Sequence, residues 1–127
     1  MGIIDITEEN FSIEKLMQSL KNDETGAIVA FSGIVRKKDE NKIIKRLDYE
    51  CYKEMALLEL RKIVASAKTK FNILDVSVIH RIGSITPMSN VVGIVVTASH
   101  RKDAFKACSY IIDEIKKTVP IWKKEIL

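Results

Sequence analysis

The chain has 127 residues, of which 46% are hydrophobic and 30% are charged; this balance excludes an intrinsically disordered protein and fits one domain over residues 1–127. Its longest apolar run, VVGIVVTA, is far too short to cross a bilayer, which excludes a membrane-spanning protein. The 21 Lys and Arg residues against 17 Asp and Glu leave a net charge of +4, which suits an anionic small molecule or an acidic partner about as well as a nucleic acid.

The first part of the chain predicts one helix and two strands. Ser12 can cap a short helix from Ile13, in which apolar residues recur at the i, i+3, i+4 and i+7 positions. Residues 26–35 are apolar on both faces, which indicates a central strand. After a charged connection at 36–42, residues 43–52 alternate between apolar and polar, as expected for a half-buried strand.

The middle of the chain predicts a longer helix, a strand and a turn. From Lys53 to about Lys70 the apolar residues follow a helical period and form one stripe. Residues 73–83 alternate again, which predicts a strand. Residues 84–90 contain Pro87 and are predicted to form a turn.

The last predicted elements are a buried strand at 91–99 and a helix at 99–119, with Ser99 as its N-cap and Pro120 as its end. The order α-β-β-α-β-β-α predicts an α+β domain, with helices on one side of a mixed or antiparallel sheet. Because the strand at 91–99 is apolar on both faces and its edges need cover, we expect the chain to dimerise through this sheet.

The two cysteines point to a reducing compartment. Cys51 and Cys108 each lie in an apolar pattern, without the CxxC or Cys/His spacing of a metal site, so we predict two buried free thiols and no metal. The N-terminal residues 1–12 are acidic and lack the basic and apolar regions of a signal peptide. We therefore expect a cytoplasmic protein.

One candidate anion site lies where a predicted strand meets a predicted helix. Free backbone N–H groups and the positive end of the helix dipole coincide there with His100 and Arg101. The other interpretation is a surface His-Arg pair at the boundary of two elements. His80 and Arg81 form a similar pair, but they lie within an alternating strand, so we predict no site there.

Two lysines near the end of the chain are further candidates. Lys116 continues the line of the apolar stripe of its helix, so its side chain either extends out to solvent or projects into a pocket. Pro120 and Trp122 can fix the backbone around Lys123, which could then act as an acid or base. The alternative is a packed tail with solvated lysines.

No motif supplies a nucleophile, since the chain has no GxSxG, P-loop, GxGxxG or HExxH. Arg36 follows the strand at 26–35 and could contact a phosphate or carboxylate through two parallel hydrogen bonds. The candidate residues therefore share an affinity for an anionic ligand.

Four segments together resemble the MoaE family, the large catalytic subunits of molybdopterin synthase. The likeness runs from about Gly26 to Glu125, and the segments are jointly specific although each alone is only suggestive. In chain order they are GAIVAFSGIVR, LDYECYKEMA, VIHRIGSITPMSNVVGIVVTASHRKDAF and YIIDEIKKTVPIWKKE.

The resemblance implies an α/β-hammerhead fold and a homodimer that binds a small ubiquitin-like subunit at each end, giving a heterotetramer. The C-terminal Gly-Gly of the small subunit would carry a thiocarboxylate into a pocket of the large one. Two sulfurs would pass to cyclic pyranopterin monophosphate to make molybdopterin, with no cofactor. Sulfur that arrives on a partner would explain why the chain lacks a nucleophile.

The resemblance also assigns roles to residues. It implies that Lys116 and Lys123 are the essential lysines and that Arg36, His100 and Arg101 are basic substrate contacts. The segments Ile34-Val35-Arg36 and Lys123-Lys124-Glu125 would line the same pocket. Ile34 departs from family members that have a polar or basic side chain at this position.

A rival interpretation is a non-catalytic basic module that binds RNA or an acidic protein. The net charge of +4 and the segment RKKDENKIIKR at 36–46 support it. Against it, the chain shows no strand with interleaved aromatic residues and no recognition helix. Steep loss of RNA affinity with salt would favour this module, whereas specific binding of a small protein ending in Gly-Gly would exclude it.

Overall fold

The computed structural model describes residues 2–127, which form three helices and nine strands. Their order is β1 (Ile4–Thr7), α1 (Ile13–Leu20), β2 (Ala27–Ile34), β3 (Lys38–Asp39), β4 (Lys42–Ile43), β5 (Arg46–Cys51), α2 (Lys53–Lys70), β6 (Asp75–Arg81), β7 (Gly83–Ile85), β8 (Asn90–Ala98), α3 (Arg101–Thr118) and β9 (Ile121–Ile126). The α+β class with a mixed sheet is confirmed. No helix in this range is both long and apolar enough to span a membrane.

The larger sheet has the strand order β1-β6-β8-β2, with β1 parallel to β6 and the other pairs antiparallel. Helices cover both of its faces, so the prediction that they lie on one side is wrong. Leu16 and Leu20 of α1 pack against Ile79 and Val95, whereas α2 and α3 pack on the opposite face. The physical reason is that β6 and β8 are apolar on both faces, and each face must be shielded from water.

The position of β2 also differs from the prediction. β2 lies at an edge of the sheet, and β8 lies inside between β6 and β2. Most residues of β2 are half-buried, which its apolar pattern anticipated, but that pattern reports the two faces of a strand and not its hydrogen-bonding edges. The edge that needs cover therefore belongs to β2 and not to β8.

A second sheet has the order β7-β5-β9. Strands β3 and β4 form a small hairpin that begins in the connection predicted at 36–42 and ends one residue beyond it, at Ile43. The segment after Pro120 is thus a strand, paired with β5 from Arg46↔Ile126 to Cys51↔Ile121. β7 occupies the first part of the turn predicted at 84–90. Strands β1 and β9 extend the predicted order at both ends.

The ends of the helices test two predicted caps. Ser12 caps α1, where its side chain accepts a hydrogen bond from the backbone N–H of Lys15 at 3.2 Å. Ser99 does not cap α3, because the N-cap position is His100. The His100 side chain makes no capping hydrogen bond to the backbone of the helix. The Ser99 hydroxyl instead donates to the carbonyl of Glu24 at 3.3 Å, so it ties the helix start to the loop before β2.

Candidate functional site

A cavity of about 470 Å³ opens between the two sheets and the C-terminal half of α3. Its walls are largely apolar, with residues from β2, β8, β9 and α3. Its polar side chains come from five different parts of the fold, which meet only in the folded chain: Arg36, Tyr49, His80, Lys116, Trp122 and Lys123.

Lys116 lies in the last turn of α3 and lines this cavity together with Ile112 and Ile115. Lys116 is exposed to solvent where it lines the cavity. Lys117 lies about 100° further around the helix. It forms an exposed ion pair with Glu114, with an Nζ–Oε2 distance of 3.5 Å.

Lys123 reaches the cavity because of its register in the smaller sheet. It lies opposite Tyr49, and both side chains line the cavity. The next residue, Lys124, lies opposite Asp48 and, by strand alternation, faces away. A hydrogen bond that Ser84 donates to Asp48 at 2.8 Å is the main cause of the lowered pKa of that carboxyl. Lys124 thus belongs to an outer polar face.

The strand that carries Lys123 is fixed at both ends. Trp122 packs edge-on against Tyr52, with 5.2 Å between ring centroids. Glu125 forms an ion pair with Lys42 at 3.2 Å, which joins β9 to the β3–β4 hairpin. Neither Lys124 nor Glu125 is among the residues that line the cavity, although both were predicted to be there.

The segment at the end of β2 contributes two of its three predicted residues. Ile34 is 47% exposed at the rim of the cavity, and Arg36 lines it. Val35 is buried in the core, and its N–H donates to the carbonyl of Ser89 at 3.1 Å. The Arg36 guanidinium is exposed and pairs with Asp39 at 3.4 Å, so it can exchange this partner for an anionic ligand.

His100 and Arg101 lie far from this cavity within one chain. They are exposed at the N-terminal end of α3, whereas Lys116 is at its C-terminal end, roughly 22 Å away along the helix axis. One chain therefore brings together Arg36, Lys116 and Lys123, but not the His-Arg pair.

Tyr49 and His80 line the cavity although neither was predicted as a site residue, and Trp122 was predicted only to fix the backbone beside Lys123. We expected no site at His80 and Arg81, yet the His80 ring lines the cavity, 5.5 Å from the Tyr49 ring. Arg81 has a structural role, because its guanidinium donates hydrogen bonds to the Asn10 side chain and to the Glu8 carbonyl. The His80 side chain reaches the cavity only through the packing of the two sheets, which no local sequence pattern reveals.

Burial sets the protonation of these two side chains. Desolvation lowers the pKa of His80, although the hydrogen bond to the Arg81 carbonyl opposes the shift. Desolvation raises the pKa of Tyr49. Both groups are therefore neutral at pH 7, in contrast to the cationic side chains around them.

No Cys, Ser or Thr is among the residues that line the cavity. Both cysteines are free, but neither lines the cavity, and burial raises the pKa of Cys108 to about 11. Across residues 2–127, no three His, Cys, Asp or Glu side chains cluster in a way that could hold a metal ion. The cationic side chains of the cavity can bind and polarise an anion.

Comparison with known proteins places this chain in a family. The family model described as MoaE protein matches residues 6–118. A molybdopterin synthase catalytic subunit from Thermoplasma volcanium is 44% identical over 124 residues, which cover 98% of this chain and 90% of that protein.

Solved structures agree with this result. The crystal structure of molybdopterin synthase from Staphylococcus aureus superposes with a TM-score of 0.90 and 38% identity, covering 95% of this chain and 88% of that one. A complex of subunits 1 and 2 of molybdopterin-converting factor from Helicobacter pylori shares the fold, with a TM-score of 0.80 and 23% identity over 98% of this chain and 84% of that one. The chain belongs to the MoaE family.

Proposed function

We propose that the chain is the catalytic subunit of a molybdopterin synthase, a sulfurtransferase. It converts cyclic pyranopterin monophosphate to molybdopterin with sulfur from the C-terminal Gly-Gly thiocarboxylate of a small ubiquitin-like subunit. The observation that carries the proposal is a cavity with three cationic side chains, apolar walls and no Cys, Ser or Thr among its lining residues. The same activity is named for relatives that cover nearly the whole chain.

The three cationic side chains suit the two anionic groups that must meet in the cavity, the substrate phosphate and the thiocarboxylate of the small subunit. Arg36 is exposed at the mouth and can bind the substrate phosphate through charge-assisted hydrogen bonds. Lys116 and Lys123 approach from α3 and β9, where they can stabilise the negative charge that develops on the acyl oxygen and on the sulfur as the C–S bond breaks. Either ammonium group can also supply a proton to the departing or newly formed group.

The small subunit delivers the sulfur, so the chain itself needs only to bind and to polarise. The partner's Gly-Gly tail has no side chains and can enter a cavity of about 470 Å³ beside the substrate. A protein of the same fold from Helicobacter pylori is described as a complex of two subunits of a molybdopterin-converting factor, which supports such a partner.

The positions of His100 and Arg101 support a homodimer with sites shared between copies, and hence a heterotetramer. One chain cannot bring these residues to its own cavity, because they lie at the N-terminal end of α3 and Lys116 lies at the C-terminal end. A second copy could place its His-Arg pair at the mouth of the first copy's cavity. The outer edge of β2, which pairs with no other strand of residues 2–127, offers a surface for association.

The RNA-binding or acidic-partner alternative is less well supported by the structure. Besides Arg36, two basic residues of the segment 36–46 form ion pairs: Lys42 with Glu125 and Arg46 with Asp48. These cations are therefore partly neutralised by their own fold. Both cysteines are free, which fits the cytoplasm as the site of the reaction.

The test is reconstitution from purified components. The chain is mixed with cyclic pyranopterin monophosphate and a small ubiquitin-like protein whose terminal Gly-Gly carries a thiocarboxylate, and molybdopterin is quantified by mass spectrometry. The same partner with an ordinary carboxylate is the control and should give no product. Failure to form molybdopterin with the thiocarboxylated partner, together with salt-sensitive RNA binding, would replace this proposal with the alternative.

A further inference from the structure

The polar side chains of the cavity are almost all hydrogen-bond donors. Arg36, Lys116, Lys123 and the Trp122 indole can only donate. No carboxylate lines the cavity, so the acceptors among the lining side chains reduce to the Tyr49 hydroxyl and one ring nitrogen of His80. A ligand with N–H groups of its own has few side chains to which it can donate.

The hydrogen bond on the far side of the His80 ring decides which nitrogen can accept. Nδ1 lies 2.7 Å from the backbone carbonyl of Arg81, and a carbonyl oxygen only accepts, so Nδ1 carries the proton. In the neutral ring Nε2 then has a free lone pair. Burial disfavours a second proton, and no hydrogen bond to another described residue occupies Nε2.

The ring is also held in orientation. His80 is only 7% exposed, and the Tyr49 ring packs against it at an angle of 64°. Tyr49 belongs to β5 of the smaller sheet and His80 to β6 of the larger one, so a ring from one sheet packs against the imidazole of the other. An acceptor that is fixed before the ligand arrives loses little entropy on binding.

We propose that His80 Nε2 accepts a hydrogen bond from a ring N–H of the bound pterin and thereby selects a ligand with a donor at that position. The inference rests on the proposed function, which supplies the pterin. A pterin ring has N–H donors as well as acceptors, and a cavity of donors alone would leave buried N–H groups unpaired. The phosphate and the thiocarboxylate remain with the cationic side chains nearer the mouth.

Two substitutions separate the two ring nitrogens. In His80→Asn, the side-chain NH₂ can still donate to the Arg81 carbonyl, but no atom reaches the Nε2 position. In His80→Gln, an amide oxygen can occupy the Nε2 position, but the donor to Arg81 is lost. Asn therefore tests the acceptor and Gln tests the structural hydrogen bond, with similar polarity in both variants.

The measurement is calorimetric binding of cyclic pyranopterin monophosphate to the whole protein without the small subunit, together with thermal unfolding and product formation. His80→Asn should weaken binding by about tenfold or more, and His80→Gln by much less. His80→Gln should instead show the larger drop in melting temperature. Unchanged affinity in His80→Asn, or equal losses of affinity in both variants, would overturn the inference.

A further arm separates this inference from the proposed function. If the unmodified protein makes molybdopterin but His80→Asn binds the pterin normally, only the role of His80 is wrong. If His80→Asn weakens capture of a Gly-Gly peptide but not of the pterin, the acceptor serves the partner's tail and the inference is again wrong. If the unmodified protein neither binds nor converts the pterin, both proposals fail.

Discussion

Lys123 lies directly opposite Tyr49 in the antiparallel pairing of β9 with β5, and both side chains line the cavity. The register matters because a strand alternates its side chains between two faces. A slip of one residue would bring Lys124 to the cavity and turn Lys123 toward the outer face. The position of one ammonium group in the site therefore depends on pairing between segments about seventy residues apart in sequence.

Lys123→Ala should lower the rate of molybdopterin formation by on the order of a hundredfold, since it removes a positioned group that stabilises charge and transfers protons. Lys124→Ala is the matched control and should change the rate little, because Lys124 lies opposite Asp48 on the outer face. Single-turnover rates at saturating thiocarboxylated partner measure both. Equal losses in the two variants would contradict the register as the cause.

Lys116→Ala should cause a similar loss, on the order of a hundredfold, for the same reason. Its control is Lys117→Ala, which removes only an exposed ion pair with Glu114 that contributes little to stability. Melting temperatures should stay close to that of the unmodified protein in both variants. If a Lys116/Lys123 double variant transfers sulfur at the normal rate, the lysine mechanism is wrong.

How much of this site the sequence could predict depends on the range of the interactions. The direction of Lys116 is local information, because α3 is long and its apolar stripe has a clear helical period. The edge position of β2 and the cavity position of His80 depend on contacts between distant segments. β1 has only four residues, too few for a periodic pattern to mark it as a strand.

The resemblance to the MoaE family predicted a shared site for residues that local patterns had singled out only one by one. It placed Arg36, Lys116 and Lys123 in one pocket, and the structure shows all three around the same cavity. It also placed His100 and Arg101 there, at a distance that one chain cannot span. A family motif records which residues serve one site, but not which copy of the chain supplies each residue.

Arg101→Ala should weaken pterin binding and leave binding of the small subunit nearly intact. If the site is shared between two copies, mixing Arg101→Ala and Lys116→Ala proteins in equal amounts should restore about a quarter of normal activity at a pterin concentration too low for either variant alone, because half of the random dimers contain one intact site. Activity is measured after subunit exchange, with each variant alone as the control. A mixture as inactive as its components would rule out sites built from two chains.

The stability of the fold should fall as the pH drops below about 6.5, the ordinary pKa of histidine. Burial lowers the pKa of His80 in the folded state, so below pH 6.5 the unfolded chain binds a proton that the folded chain does not. The part of the free energy of unfolding that comes from this pKa difference is fully present above pH 6.5. As the pH falls from there toward the folded-state pKa, it decreases by at most about 1.4 kcal/mol per pH unit.

Urea unfolding at pH 7.5 and pH 5.5 measures this effect, with His80→Gln as the variant that lacks the titrating ring. The carboxyls of Asp48 and Asp75 have pKa values below the ordinary 3.8, so their contribution is lost only at lower pH. For Asp75, burial acts in the raising direction but is outweighed by hydrogen bonds, among them those from the Val76 N–H and from Lys68. An equal pH dependence in the His80→Gln protein would show that another group is responsible.

Neither cysteine should be needed for sulfur transfer, because the sulfur arrives on the partner. Cys108 is buried, with a pKa raised to about 11, and burial also raises the pKa of Cys51. At pH 8 only about one Cys108 side chain in a thousand is a thiolate, so a thiol reagent should modify it slowly until the protein unfolds.

Replacing both cysteines with Ala should cost some stability, about 1 kcal/mol or more at Cys108, where the core loses a sulfur atom. The rate of molybdopterin formation, measured below the lowered melting temperature, should remain within about threefold of normal, far from the loss expected of a missing nucleophile. A rate that falls a hundredfold in a folded Cys51/Cys108 double variant would instead mean that the chain carries the sulfur itself on a cysteine.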